Sequence, residues 1–329
     1  MQRLPQILAA ITLSLASTVA CAEEKARPLE IRAKSLPLAY ADRDAKTLGK
    51  LHHLGTLKLT SPDSDFGGLS GLIVSPDGKR FLAITDQSNW VTGELAYAGG
   101  RLSGIRGITI APLRDEAGKP LSGKQGDAEG LAGNLDGDVH VSFEREHRIW
   151  TYAFGEKGLE ARARPVKTPA DLDDAPVNGG LEALAQLEGG KLLALTEYMK
   201  DDAGNLRGWV IDPASGKSDP LAVVTRPPYA ITDVRQLPGG DILTLERRFN
   251  RTGGVGFAMR RFPLGSLEQG SPIRGEVIAE AGMDYVIDNM EGLSVRTDDA
   301  GRTLVYVLSD DNFNGPLQQT LLMLFELRE

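Results

Sequence analysis

One local pattern recurs along the chain and limits the folds open to it. An acid beside small and leucine residues opens an apolar stretch, a turn follows, and a second apolar stretch closes on another acid. Ala128-Glu129-Gly130-Leu131 leads to Val141-Ser142-Phe143-Glu144. Gly180-Leu181-Glu182-Ala183-Leu184 leads to Ala194-Leu195-Thr196-Glu197, and Met290-Glu291-Gly292-Leu293 leads to Val307-Leu308-Ser309-Asp310. Short runs rich in β-formers and bounded by turn residues form hairpins. A hairpin repeated at a period near 50 residues is the signature of a β-propeller, in which each unit buries its faces against its neighbours.

Aligning the apolar residue that opens each unit gives Leu69, Leu131, Leu181, Ile231 and Leu293, at spacings of 62, 50, 50 and 62 residues. Each of the first four units then offers two further strand-like runs: 90–97 and 104–112, 148–154 and 161–167, 208–212 and 219–225, 256–263 and 275–281. The fifth offers only 320–327 and lacks a strand, which 51–60 at the front of the chain can supply. Closing the ring with a strand from the other end of the chain hides exposed edges. The expected fold is therefore all-β, a propeller of five four-stranded blades. Six remains open, because the first and fourth units are long enough to hold another hairpin.

Composition agrees with a turn-dense β-protein: 38 Gly and 18 Pro in 329 residues, with no long helical periodicity. Arg3, the apolar run 7–19 and the small-x-small triplet Ala20-Cys21-Ala22 read as a secretory signal peptide cleaved after Ala22. The alternative is a lipoprotein acylated at Cys21, which Thr18 fits poorly. Residues 23–50 read as an irregular, charged arm and 51–329 as a single domain. Cys21 is the only cysteine, so the mature chain has no disulfide, thiolate ligand or cysteine nucleophile. The net charge of −8 and the absence of a Lys/Arg run exclude nucleic acid as the expected partner. No later stretch is apolar for long enough to span a membrane, and a periplasmic or secreted monomer is expected.

Two sets of acids repeat. Glu129, Glu182 and Glu291 sit at strand starts, with Ser70 and Thr232 in the same slot of the other two units. Asp86, Glu144, Glu197, Glu246 and Asp310 sit at the ends of second strands, and Asp233 follows Thr232. Because the second strand runs antiparallel to the first, both sets fall on one face of the disc. Nine carboxylates on one face require cations, protons or solvent. Oxygen donors without thiols favour Ca2+, with Mg2+ as the alternative. Arg145, Arg235 and Arg247 stand beside these acids, where guanidinium groups either bind phosphate or pair with the carboxylates. The bland reading is that each acid caps backbone N–H groups at a tight turn. The histidines form no zinc motif, and no nucleophile elbow, Walker loop or dinucleotide fingerprint is present.

The ordered motifs Gly67-Gly68-Leu69-Ser70-Gly71-Leu72, Asp127-Ala128-Glu129-Gly130-Leu131, Phe143-Glu144-Arg145, Gly179-Gly180-Leu181-Glu182-Ala183-Leu184, Leu245-Glu246-Arg247 and Asn289-Met290-Glu291-Gly292-Leu293 resemble the bacterial phytase-like family, "esterase-like activity of phytase". The resemblance runs from about Leu51 to the C-terminus. It implies a hydrolase of phosphomonoesters or phosphodiesters acting on a small phosphorylated substrate. Glu129, Glu182 and Glu291 would be catalytic, Arg145, Arg235 and Arg247 would hold the phosphate, and the acids above would hold the divalent cation. The alternative is a non-catalytic periplasmic propeller that binds a ligand or protein, with its acids structural.

Overall fold

The computed structural model describes residues 25–250, 253–267 and 272–329. The segment read as a signal peptide lies outside them. Five four-stranded antiparallel blades form a ring. The first blade comprises Leu69–Val74, Arg80–Thr85, Asn89–Ala98 and Arg101–Pro112, and the second Ala128–Gly133, Val139–Phe143, Arg148–Tyr152 and Ala163–Val166. The third comprises Leu181–Gln186, Leu192–Lys200, Leu206–Ile211 and Ser218–Val223, and the fourth Ala230–Gln236, Ile242–Asn250, Gly254–Phe262 and Glu276–Ala281. The fifth is built from Asn289–Thr297, Thr303–Asp310 and Thr320–Leu327, and Leu51–Thr60 supplies its fourth strand from the front of the chain. The extra length of the first unit goes into long third and outer strands, not into a sixth blade.

The period-two alternation of a strand explains why these runs read as almost continuously apolar. Successive side chains point to opposite faces, and both faces of a blade are covered. In the first blade Leu72 and Val74 face the fifth blade while Ile73 faces the second. The core is accordingly divided into five apolar clusters, one in each blade–blade interface. Burying each such Leu, Ile or Val contributes about 1.5–3 kcal/mol, so cohesion is shared around the ring.

Segment 23–50, read from sequence as irregular, proves to be partly strand within its described residues. Arg27–Pro28 pairs with the outer strand of the first blade, and Arg32–Leu36 pairs with Leu51–Thr60 of the fifth. The arm thus crosses the seam where the ring closes and covers two open edges, and Leu38 is fully buried. Its strands are mostly exposed, so they carry no apolar alternation and gave no strand signal.

Polar contacts join inner strands across the channel. Ser142 Oγ donates to Leu181 O at 2.9 Å and accepts Gly130 N–H at 2.9 Å, joining the second and third blades. Asp233 Oδ2 accepts Leu293 N–H at 2.7 Å, joining the fourth and fifth. Arg235 lies in the channel itself and donates to Leu184 O at 2.8 Å, Leu72 O at 2.9 Å and Leu131 O at 2.7 Å, which belong to three other blades.

Candidate functional site

The recurring acid at the strand start is the product of a bulge. In the third blade Leu181 pairs with Thr196 and Ala183 with Leu195, leaving Glu182 as the extra residue. In the fifth, Met290 pairs with Ser309 and Gly292 with Leu308, leaving Glu291. In the fourth, Thr232 is extra, and in the second Glu129 and Gly130 lie opposite the single residue Ser142. A bulge re-aims the side chain of its extra residue, which suits an acid directed toward the channel.

The closing acids come back alongside these starts. Asp86 N–H donates to Gly68 O at 2.8 Å, Glu144 N–H to Asp127 O at 2.9 Å and Glu197 N–H to Gly180 O at 3.0 Å. Gly68 permits this approach: its φ is +58°, and a Cβ would collide with Asp86 Oδ1 and the ring of Phe313. The fourth blade departs from the pattern. The residue opposite Ile231 is Glu246, so the closing slot belongs to Arg247. Glu246 instead turns into its own blade and pairs with Arg260.

Seven of the nine acids expected from sequence form one electrostatically linked group: Asp86, Glu129, Glu144, Glu182, Glu197, Glu291 and Asp310. Asp127 and Asp311 join it. Asp233 is apart and fully buried; Val234 N–H at 2.8 Å, Leu293 N–H and Arg235 saturate its carboxylate. Arg247 enters the group, with Nη2 3.2 Å from Glu197 and Nε 3.2 Å from Glu291. Arg145 Nε lies 2.6 Å from Asp127. Asp127 was not singled out from sequence, although it stands two residues before Glu129 and alternation puts both on one side of the strand.

Asp127, Glu129 and Glu144 each offer a carboxylate oxygen, and these oxygens all lie within 4.8 Å of one another. Two oxygens on one divalent cation such as Ca2+ are separated by at most about 5 Å, so the triad has the donor type and the approximate spacing of a metal site. Glu144 also accepts Gly179 N–H at 2.6 Å and Gly180 N–H through Oε1, which fixes its orientation. Beside the triad is a cavity of about 830 Å3 whose wall includes Asp86 and Asp127 together with Lys25, Arg27, Lys124 and Arg145.

Burial, reinforced by neighbouring carboxylates, pushes Glu129 and Glu182 well above the usual range. Burial and then Glu291 raise Asp310 to about 8; burial and then Asp310 raise Asp86 to about 7. Burial lifts Glu144 to about 7 against its two glycine N–H groups, and lifts Glu291 to about 6 against Arg247. Carboxylates raised in this way bind more protons folded than unfolded, so they stabilise the fold at low pH and lose that contribution as pH rises through the folded values. Burial lowers His53 and His140 to about 4 from 6.5, which has the opposite sign but acts only below that higher value. Between pH 6.5 and about 8.5 the carboxylates act without opposition from these histidines. In chelator, the melting temperature is expected to fall by roughly 5 °C across that interval, and millimolar Ca2+ is expected to abolish the fall. A flat melting profile in chelator would show that the acids carry no such load.

Fold and site together define a five-bladed propeller with a carboxylate-lined channel mouth. The chain belongs to the family described as esterase-like activity of phytase, whose model matches residues 64–313. Among solved structures, it is similar to the PQQ-bound aldose sugar dehydrogenase of Streptomyces coelicolor, with 15% identity over 91% of this chain and 99% of that one and a TM-score of 0.43. A bifunctional GH43-CE protein of Bacteroides eggerthii is 12% identical over 89% of this chain and 34% of its own, with a TM-score of 0.41. A protein of unknown function from Bacteroides caccae is 12% identical over 73% and 68%, with a TM-score of 0.33. No curated protein matches the chain. No helix among the described residues is long and apolar enough to cross a membrane.

Proposed function

We propose that the chain is an exported hydrolase of phosphoester bonds that uses a divalent cation, Ca2+ ahead of Mg2+, at the channel mouth. The observation that carries this reading is the junction of two unlike groups. The oxygens of Asp127, Glu129 and Glu144 lie within 4.8 Å of one another, and Asp127 and Arg145 are shared with a cavity that also holds Lys25, Arg27 and Lys124. Carboxylates alone repel a phosphate, and cations alone do not bind a metal.

Bound at the triad, a divalent cation supplies positive charge for phosphoryl oxygens and acidity for water. Of the three arginines named from sequence, Arg145 is best suited to the phosphate. Its side chain is 45% exposed, more than that of Arg235 or Arg247, which leaves guanidinium surface for bidentate binding. Its φ of +56° is uncommon for a residue other than glycine, and such backbone conformations concentrate at functional sites. Arg235 donates to main-chain carbonyls, and Arg247 pairs with Glu197 and Glu291. Glu182, raised well above the usual carboxylate range by burial and then by Glu129, Glu197, Glu144 and Glu291, would serve as the general acid that protonates the departing oxygen. One water is consumed, its oxygen bonds to phosphorus, the ester P–O bond breaks, and the water proton returns to a carboxylate.

A second reading has its own observation. Glu144 caps the N–H groups of Gly179 and Gly180, and acids used as turn caps need no chemistry. Purified protein assayed against phosphomonoesters and phosphodiesters, with Ca2+ and with chelator, separates the two. The hydrolase reading expects calcium-dependent turnover of at least one class; no turnover with any divalent ion leaves the binding propeller.

A further inference from the structure

The large apolar side chains left in solvent crowd one side of the disc. Among the described residues they are Tyr40, Val177, Tyr198, Phe249, Met283 and Leu317, with Val277 apart on the outer strand of the fourth blade. Inner strands start at the channel mouth, so antiparallel order puts the end of each second strand, and each connection between blades, on the mouth side. Val177 lies in the connection from the second blade to the third, and Met283 in that from the fourth to the fifth. Tyr198 and Phe249 sit where second strands run on past Glu197 and Arg247, and Leu317 is in the loop after Asp310. Tyr40 joins from the arm, its N–H donating to Asp284 O at 3.1 Å. Turns of the opposite side, such as Pro76-Asp77-Gly78 and Glu188-Gly189-Gly190, expose no such residue.

Contacts link most of these side chains into an arc over the third to fifth blades. The Tyr198 ring packs on Gly179, two residues from Val177. Tyr198 also shares a depression with Pro227, Pro228 and Tyr229. Tyr229 OH accepts Arg248 Nε–H at 3.0 Å, and Arg248 Nη1 donates to Gly253 O at 3.1 Å. Met283 lies against Gly254, and Asp284 beside it holds Tyr40. The cavity with Lys25, Arg27, Lys124 and Arg145 lies on the remaining side of the mouth.

We infer that the mouth face docks on a zwitterionic phospholipid bilayer, its apolar arc entering the interfacial layer. The inference goes beyond the phosphoester reading and does not depend on it. Exposed apolar surface edged by polar residues marks a protein or a membrane contact, and three observations choose the membrane. First, the side chains project singly from separate loops, Leu317 being 81% and Phe249 69% exposed. A protein partner needs a surface that packs to interior density, whereas a fluid interface admits separate side chains and favours tyrosine at headgroup depth. Second, the mouth side carries both signs. Lys25, Arg27, Lys124 and Arg145 stand with Asp65 and Asp86, and Asp173, Asp174 and Asp284 are exposed in the connections. A headgroup with one phosphate and one ammonium complements both signs, while an anionic one meets repulsion from the acids. Third, Lys25 lines the mouth cavity and stands six residues after Val19, the end of the apolar run 7–19. Six residues reach at most about 20 Å, so a bilayer that takes up that run during export lies close to this face.

The test is co-sedimentation with vesicles of phosphatidylethanolamine and phosphatidylcholine. It uses the chain from Glu23 onward, the expected mature form, so that the run 7–19 cannot itself hold the vesicle. The wild type is expected to bind. Phe249→Ser combined with Leu317→Ser is expected to lower the partition constant about tenfold or more, with circular dichroism and melting unchanged because both side chains are exposed. Val277→Ser, off the mouth side, is expected to bind as the wild type does. The emission of Leu317→Trp is expected to shift to the blue when vesicles are added. Wild-type protein that stays in the supernatant, an unshifted Leu317→Trp, or a loss with Val277→Ser equal to that of the paired variant overturns the inference. Binding confined to phosphatidylglycerol vesicles overturns the charge match. Self-association that the paired variant abolishes, without vesicle binding, assigns the arc to a second copy of the chain and overturns the bilayer. None of these readouts uses turnover, so this inference and the hydrolase reading fail separately.

Discussion

Arg235→Ala is expected to destabilise the propeller by about 3–5 kcal/mol, the cost of leaving a buried charge and its partners uncompensated. The guanidinium sits in the channel and donates to the carbonyls of Leu184, Leu72 and Leu131 and to Asp233 Oδ1 at 2.7 Å. One side chain thereby holds inner strands of four blades. Its removal strands three main-chain acceptors and isolates the fully buried Asp233. Arg235→Lys should recover only part of the loss, because an ammonium cannot reproduce the planar fork. Equilibrium urea unfolding checks both variants. A loss below about 1 kcal/mol, the net worth of an ordinary hydrogen bond, would mean that the apolar interfaces alone hold the ring.

Glu129→Gln is expected to lower Ca2+ affinity on the order of 100-fold, since affinity at oxygen sites follows the charge of the ligand set. Calcium-dependent turnover should fall at least as far. The same substitution is expected to raise the melting temperature in chelator at pH 8.5. Glu129 is pushed up by burial and then by Glu291, Glu144, Asp127 and Asp86, so its ionisation at high pH costs the fold stability, and a neutral amide of the same shape escapes that cost. Calorimetric titration with Ca2+ and melting in chelator give the two readouts. Unchanged Ca2+ affinity, or a lower melting temperature in chelator at that pH, would assign Glu129 to the fold and not to the cation.

Much of the propeller was legible because blade cores obey a local rule. The apolar runs Leu69–Val74 and Arg80–Thr85, joined by the turn residues Pro76-Asp77-Gly78, specify a hairpin whatever surrounds them. The closing strand Leu51–Thr60 could be found because the fifth unit was one strand short. The arm was harder to read. Arg32–Leu36 is exposed and takes strand form only because the edge of Leu51–Thr60 offers it unpaired N–H and C=O groups.

The site was legible to a smaller extent. Repetition singled out Glu129, Glu182 and Glu291, and the bulge explains why acids recur there. The alignment of the fourth blade was one residue out: its pairings repeat those of the third blade 50 residues on, so Glu246 corresponds to Thr196, and Arg247 takes the closing place that Glu197 holds there. Asp127 went unrecognised because it precedes the first strand residue of its blade.

The sequence by itself determined the repeated hairpin, the expectation of a ring of five blades and the concentration of carboxylates near one end of the inner hairpins, since each follows from apolar runs, turns and acids repeated within a few dozen residues. Only the tertiary structure decided which acids come within 4.8 Å of one another, which arginine keeps an exposed side chain, and that Arg235 binds carbonyls of other blades. Those outcomes depend on distances between blades 50 residues or more apart in sequence. They are set by how the five interfaces pack, for which a single hairpin carries no information.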